Sequence, residues 1–399
     1  MSDSSDFRRL QGELPAIQDA LREQGLDGWL LYDLHARNRI TTTLLGLGDL
    51  SRRYFVLVPA QGEPHAVVHR IEEAPWSAWP WRRTPYSGWR ELEGALSDML
   101  SGVGRAAMEV AARDAIPALD LVPVGVVQLI ESAGVEVVSS AELVTRFHSR
   151  WTADGLASHR RAGAVLAQAA SEAFAFAAAG VAAGESITEG ALRTRVLDRL
   201  RAGGLTVGAD AIVAWGPNAA DPHYHPSDRG ALLRPGAVLL LDLWGKESED
   251  AVFADQTWMA YIGEEIPDRV NDVWLAVRDA RVAAVQFIRE RCTGGEFPMG
   301  YEVDAVSRAL IDSRGFGAYF IHRTGHSIDV ELHGTGPNID DFETHETRRL
   351  VPGTGFSIEP GVYLPGDLGI RSEIDVYMTE LGPEVTTPDP QMALPPLLR

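Results

Sequence analysis

The chain has 399 residues, 45% hydrophobic and 23% charged, an ordinary globular composition long enough for two or three domains. Its formal net charge of −20 argues against a nucleic-acid partner, because that affinity comes from Lys and Arg neutralising phosphates. The single cysteine, Cys292, excludes an internal disulfide framework and fits a reducing, cytoplasmic compartment. The polar start MSDSSDFRRL lacks the apolar core of a signal peptide. The longest apolar runs, such as 237–241, fall far short of a membrane span, so no membrane partner is expected.

Residues 1–151 read as an α/β domain. Helical spacing covers 7–24, and GWLLY at 28–32 and YFVLVP at 54–59 read as buried strands. Shorter strands are expected at 106–109, 122–123 and 135–138, between helical stretches. That alternation implies a sheet covered by helices. A polar loop, Asp33-Leu34-His35-Ala36-Arg37-Asn38, follows the first strand. It reads either as a solvated loop or as a substrate cap, since α/β folds place ligand contacts at the carboxyl ends of strands. The stretch 75–90 carries Trp76, Trp79, Trp81 and Trp89 among Arg82, Arg83 and Arg90. Such a mixture suits nucleic-acid stacking, but the acidic chain favours an internal packing patch or a subunit contact.

A boundary is expected near 150–152, where Thr152 opens a long Ala-rich helix that ends near 180–184. A helix over 188–202, a strand over 209–215 and a loop holding His223 and His225 follow. Next come the β-prone runs 238–244 and 252–262 around the polar turn 247–250. Two amphipathic helices, 267–291 and 302–314, lead to a histidine-rich segment and a last pair of strands, 355–364 and 368–378. The region 152–399 therefore repeats one plan twice: helices, a His-bearing segment, a hairpin with two acids.

The acids carry the chemistry. Glu359 and Glu373 lie symmetrically about the turn Pro365-Gly366-Asp367, and Asp242 and Asp255 about the earlier turn. Directly opposed side chains on a hairpin stand about 5 Å apart at Cβ. Two facing carboxylate pairs in apolar strands need a counter-charge, and a divalent-metal site answers that need. The segment IHRTGHSIDVELHGTGP adds His322, His326 and His333. Histidine is the commonest transition-metal ligand and the usual proton carrier near neutral pH.

Five stretches, in order, resemble the pita-bread-fold metallopeptidases of the prolidase and aminopeptidase P branch: GPNAADPH at 216–223, LLLDLWG at 239–245 with ADQTW at 254–258, HRTGHSIDVELH at 322–333, SIEPGVY at 357–363 and GIRSE at 369–373. The resemblance spans roughly 155–385. It implies an α/β creatinase-like N-terminal domain over 1–151, for substrate capping and dimer contacts. It also implies an α+β pita-bread catalytic domain over 152–399 with pseudo-twofold halves. By this resemblance Asp242, Asp255, His326, Glu359 and Glu373 are metal ligands for two divalent ions per subunit. Asp255 and Glu373 bridge the ions; Asp242 serves one, His326 and Glu359 the other. His223 and His333 contact the scissile carbonyl or the leaving group, and His322 and Arg371 position substrate or ligands. A homodimer is the family expectation. Oxygen ligands with one imidazole suit Mn²⁺ first, with Co²⁺ or Zn²⁺ as alternatives.

Departures from the family pattern are visible. The two aspartates are two residues further apart than usual, and Gly-His-Ser-Ile-Asp replaces a glycine-richer His loop. His225 has the usual separation from Asp242, whereas His223 has the matching Asn-Ala-x-x-Pro-His context; His223 is preferred on that context. The expected activity is an Xaa-Pro dipeptidase acting on small peptides with proline second, with aminopeptidase P on longer peptides as the alternative. A dipeptidase must also bind a free carboxylate, for which Arg371, Arg37 or His35 are candidates. Glu359, its acidity tuned towards neutrality, is expected to shuttle the water proton. A non-catalytic binder on this fold is disfavoured, because the full ligand set is present.

Overall fold

The computed structural model describes residues 7–206, 210–225 and 229–398. The polar start of the chain and Ala209, where a strand was expected to begin, therefore lie outside the described residues. The chain forms two compact units, Met1–His148 and Ser149–Arg399.

In the first unit, α1 (Arg8–Glu23) precedes β1 (Gly28–Asp33), α2 (Arg39–Leu45), β2 (Tyr54–Pro59), β3 (His65–His69) and β4 (Arg82–Tyr86). Then come α3 (Trp89–Met99), β5 (Arg105–Met108), α4 (Val124–Ser132), β6 (Glu136–Ser139) and α5 (Ala141–Phe147). One mixed sheet runs β4-β3-β2-β1-β5-β6. β1 is buried along its whole length, as an uninterrupted apolar run demands when both faces are covered. Trp29 and Leu31 belong to one core layer, Leu30 and Tyr32 to the other. The strand expected at 122–123 does not form. There the Leu121 and Val122 N–H groups both donate to the Glu109 carbonyl, and Pro123, which has no N–H to give a ladder, caps α4. Trp76 and Trp79 are core residues stacked around Phe7, so the tryptophan-rich stretch is largely packing. The polar loop after β1 is built rather than merely solvated. Asp33 is buried and accepts the Ala36 and Asn38 N–H groups, while Asn38 donates to the buried Glu109.

The second unit opens on α6 (Ala153–Ala182), capped by Thr152, whose hydroxyl accepts the Gly155 N–H. By length and composition alone α6 is long and apolar enough to cross a bilayer, a test that the core helix of a globular protein also passes. Its buried stripe, including Ala162, Leu166, Ala173 and Ala177, packs in the core. Then follow α7 (Glu189–Ala202), β7 (Ile212–Trp215), β8 (Ala237–Gly245) and β9 (Ala254–Ile262), and the second helix pair α8 (Asp268–Thr293) and α9 (Gly300–Ser313). The last part holds β10 (Ser327–Ile328), β11 (Gly355–Ile358), β12 (Gly361–Leu364), β13 (Leu368–Arg371), β14 (Ile374–Thr379) and β15 (Gly382–Val385). Among the described residues the strands form three antiparallel sheets: β7-β8-β9, β10-β11-β14-β15 and the ribbon β12-β13. Each half thus supplies a helix pair and an acid-bearing hairpin, the plan read from the sequence.

The two hairpins differ in detail. Residues 355–379 keep one antiparallel register, from Gly355↔Tyr377 through Gly361↔Arg371 to Leu364↔Leu368. The ladder breaks at Glu359-Pro360 and Ser372-Glu373, where the strands pass from one sheet to the other. Pro360 has no N–H to donate, and the Glu359 N–H goes instead to the Thr324 carbonyl. By that register Glu359 and Glu373 do stand opposite each other, in the gap. The aspartates do not. Asp242 pairs with Thr257 and Asp255 with Trp244, so the two acids are diagonal neighbours on one face rather than directly opposed.

Candidate metal centre

The gap in the second hairpin opens towards the β8–β9 face, and the four carboxylates converge there with His326. Oxygens of Asp255 and Glu373 and a ring nitrogen of His326 lie within 4.8 Å of one another. The His326 Nδ1–H donates to the Ser327 carbonyl at 3.1 Å, which leaves Nε2 as a lone-pair donor. That Nε2 stands 3.5 Å from Asp255 Oδ2 and 3.4 Å from Glu359 Oε1. A lone pair facing two carboxylate oxygens is repelled unless a proton or a metal ion lies between them. Asp242 Oδ1 and Asp255 Oδ1 are buried without a hydrogen-bond partner. Orphaned carboxylate oxygens beside an oriented imidazole are the donor set of a divalent ion, so these residues fit the expected group.

Acidity reports the same imbalance. Burial pushes Asp242 up to about 7, with the neighbouring Arg371 pulling it back down. Burial, then the charges of Asp255 and Glu359, lifts Glu373 well above the carboxylate range, and burial raises Asp255. His326 is raised because Asp255 and Glu359 outweigh the burial that would lower it. Glu359 departs from expectation. Burial works upward on it, but His326 and Arg371 outweigh it, so Glu359 is held below the usual carboxylate range and not near neutrality. The near-neutral carboxyl is that of Asp242.

Local backbone explains the aim of these side chains. The His326 N–H donates to Ser357 Oγ, and that hydroxyl donates to Glu359 Oε1 at 3.0 Å. Gly325 is required here: a Cβ on it would stand 2.0 Å from the Ser357 carbonyl oxygen. Gly369 plays the same part on the other side, where a Cβ would stand 1.6 Å from the Ala219 carbonyl, in the loop leading to His223. The buried Asp304 accepts from Thr324 N and Oγ1, fixing the segment between His322 and His326.

Arg371 is buried and its donors are engaged. It gives hydrogen bonds to Asp242 Oδ2 at 2.5 Å, Thr257 Oγ1 at 2.9 Å and the Tyr363 hydroxyl at 3.1 Å. Thr257 in turn donates to Glu373 Oε2 at 2.7 Å. Arg371 therefore orients two acids at once. It is placed neither for a substrate carboxylate nor for Asp367, which pairs with Arg269. The Tyr363 hydroxyl is also 2.9 Å from His322 Nε2. Because His322 Nδ1–H donates to the Arg323 carbonyl, Nε2 accepts from Tyr363, and burial keeps His322 neutral, down to about 4.

One cavity of about 530 Å³ is lined by the five acid and imidazole groups, Arg371, His322, His333 and both His223 and His225. The ring of His333 sits 4.3 Å from that of His326. His225 is paired with Asp210 at 3.1 Å. His35 and Arg37 belong to the first unit and are exposed. Sequence reading missed Thr257, Ser357 and Tyr363. Only Thr257 carried a signal, two residues after Asp255 and hence on the same strand face.

The profile of metallopeptidase family M24 matches residues 157–380. A probable dipeptidase PepE of Mycobacterium tuberculosis (strain ATCC 25618 / H37Rv) is 30% identical over 337 residues, covering 82% of this chain and 81% of that protein. An Xaa-Pro dipeptidase of Lactobacillus delbrueckii subsp. lactis is 33% identical over 184 residues, 46% of each chain. Among solved structures, dipeptidase PepE from Mycobacterium ulcerans matches with a TM-score of 0.75 at 26% identity, over 98% of this chain and 99% of the other.

Proposed function

The chain belongs to metallopeptidase family M24, with its pita-bread fold, and from that membership we propose a dipeptidase of Xaa-Pro substrates working with two divalent ions. The ligands in this reading are Asp242, Asp255, His326, Glu359 and Glu373. The observation that carries it is the His326 Nε2 lone pair facing Asp255 and Glu359 beside two orphaned aspartate oxygens. The Xaa-Pro preference takes its support from the relative of that name.

Divalent ions bound here would polarise the scissile carbonyl and lower the pKa of a water towards neutrality. The chain's own groups do the rest. Glu359, held ionised and with its side chain 15% exposed, accepts the water proton and returns it to the departing nitrogen. His223 and His333, lining the cavity, donate hydrogen bonds to the carbonyl oxygen as it gains charge or to the leaving group. Arg371 keeps Asp242 and, through Thr257, Glu373 in place, and the Tyr363–His322 pair braces it. Proline suits such a site because an Xaa-Pro amide has no N–H, and none of these roles needs one. A homodimer, in this reading, is the working form.

The deciding experiment is a peptide panel (Xaa-Pro, Xaa-Pro-Yaa, Xaa-Ala) assayed with Mn²⁺, Co²⁺ or Zn²⁺ after chelation. Xaa-Pro dipeptides should be cleaved best, and only with metal restored. Equal cleavage of Xaa-Pro tripeptides would make the protein an aminopeptidase P; chelator-resistant activity would remove the metal from the proposal.

A further inference from the structure

The diagonal placement of Asp242 and Asp255 has a partner that the metal centre does not use. Trp244 lies two residues after Asp242, so both side chains leave the same face of β8. Across the ladder, Trp244 is the residue directly opposite Asp255, at the separation of about 5 Å between Cβ atoms usual for such pairs. Had the two aspartates been directly opposed, this place beside Asp255 would hold an acid. Instead it holds an indole. Trp244 is half-buried, packs against the core cluster that includes Ile212, Val238 and Leu240, and lines the cavity together with Ile212 and Asp210.

We propose that Trp244, backed by Ile212, is the wall that sets which side chain the enzyme accepts at the N-terminal residue of its substrate. This rests on the dipeptidase reading. The carbonyl to be cleaved must lie over Asp255, His326 and Glu373, so the flanking side chain falls on the surface beside them, and the indole is that surface. Charge decides which residue of the peptide lies there. Trp244 shares its strand face with Asp242, and Asp210 lines the same cavity, so this wall is acidic although Asp242 already pairs with Arg371 and Asp210 with His225 and Arg193; the one cation every dipeptide carries is the α-ammonium of its N-terminal residue. A rigid indole, supported from behind by the core, limits the depth available. Compact apolar residues such as Ala or Val fit against it, while Phe and Trp are excluded.

The test compares kcat/KM for Phe-Pro with that for Ala-Pro in the wild type, Trp244→Ala and Trp244→Phe, with bound metal counted by elemental analysis. Removing the indole should raise the Phe-Pro to Ala-Pro ratio about tenfold, mostly through KM, with metal content unchanged. Trp244→Phe should stay within about threefold of the wild-type ratio, because an aromatic ring still fills most of the space. An unchanged ratio in Trp244→Ala at full metal content overturns the proposal. If that variant fails to fold, Trp244→Leu, which keeps apolar bulk but shortens the wall, reads the same ratio. The same comparison on Phe-Ala and Ala-Ala separates the two ideas. Preference for Xaa-Ala over Xaa-Pro in the wild type would sink the proposed function, and the ratio within either series still decides Trp244.

Discussion

Glu359 and Glu373 face each other, yet their surroundings give them different work. Glu373 receives the Thr257 hydroxyl and is raised well above the ordinary carboxylate pKa, so without a cation it prefers to hold a proton. Glu359 borders the cavity and stays ionised beside His326 and Arg371. Replacing Glu373 with Gln therefore removes a charge from the cluster that most needs a cation. Elemental analysis of purified Glu373→Gln should find clearly less than the wild-type metal content. Glu359→Gln keeps the shape but removes the proton acceptor, and kcat should fall by about 10²-fold or more, beyond any loss of metal. Full turnover by Glu359→Gln with wild-type metal content would remove the proton shuttle from that residue. The acids were legible because their types and spacing are dictated by the need to balance buried charge, whereas His326 was singled out from three histidines only by the family resemblance. Thr257, Ser357 and Tyr363 were not. A hydroxyl becomes part of a site only through what folds against it, and no local pattern announces that.

At the level of elements, the hairpins could be read because apolar β-prone runs around polar turns leave few other options. Their faces followed too: Leu239, Leu241 and Leu243 pack into one core while Asp242 and Trp244 face the cavity. Alternation decides the face, but pairings shifted by two residues preserve it, so parity alone cannot tell directly opposed aspartates from diagonal ones. The break of the second hairpin at Pro360 was equally hidden, since it depends on Thr324 arriving to accept the Glu359 N–H. A helix end supplies another unforeseen part. Glu189, the first residue of α7, is fully buried and accepts from Trp215 N at 2.7 Å, Asn218 Nδ2 at 3.0 Å, Tyr224 OH at 2.8 Å and Ala231 N at 2.6 Å. It ties together both ends of the segment that carries His223. Glu189→Ala strands two backbone donors and a phenol, and should cost about 3 kcal/mol in denaturant unfolding. Turnover should fall with it as His223 loses its fixed place, and Glu189→Gln, which keeps an accepting oxygen, should lose less. Unaltered stability in Glu189→Ala would show that these bonds are replaced by water.

Across the whole molecule, the buried acids and histidines bind protons differently in the folded and unfolded states, and the two sets pull in opposite directions. His159 and His322 are lowered to about 4 by burial. The unfolded chain takes up those protons first, so these groups add stability as pH rises, until the unfolded histidines too have lost theirs about a unit above 6.5. Asp242, Glu373 and His326 are raised, so the folded metal-free protein keeps protons that the unfolded chain has released. Their contribution is present at low pH and is lost as pH climbs through the folded values. Between pH 7.5 and 8.5 the raised groups dominate, since the unfolded histidines have by then lost about nine-tenths of their protons or more. Each proton retained by the folded form costs about 1.4 kcal/mol per pH unit over the range in which it is held. The chelated protein should thus lose stability across the window and melt at a lower temperature at pH 8.5 than at pH 7.5. Divalent ions take the place of those protons, and they bind better once the acids are ionised. The rise in Tm on adding Mn²⁺ should accordingly be larger at pH 8.5 than at pH 7.5. Scanning calorimetry at both pH values, with chelator and with Mn²⁺, measures all four corners. A Tm of the chelated protein that stays level across the window would mean that the cluster is not held by protons when metal is removed.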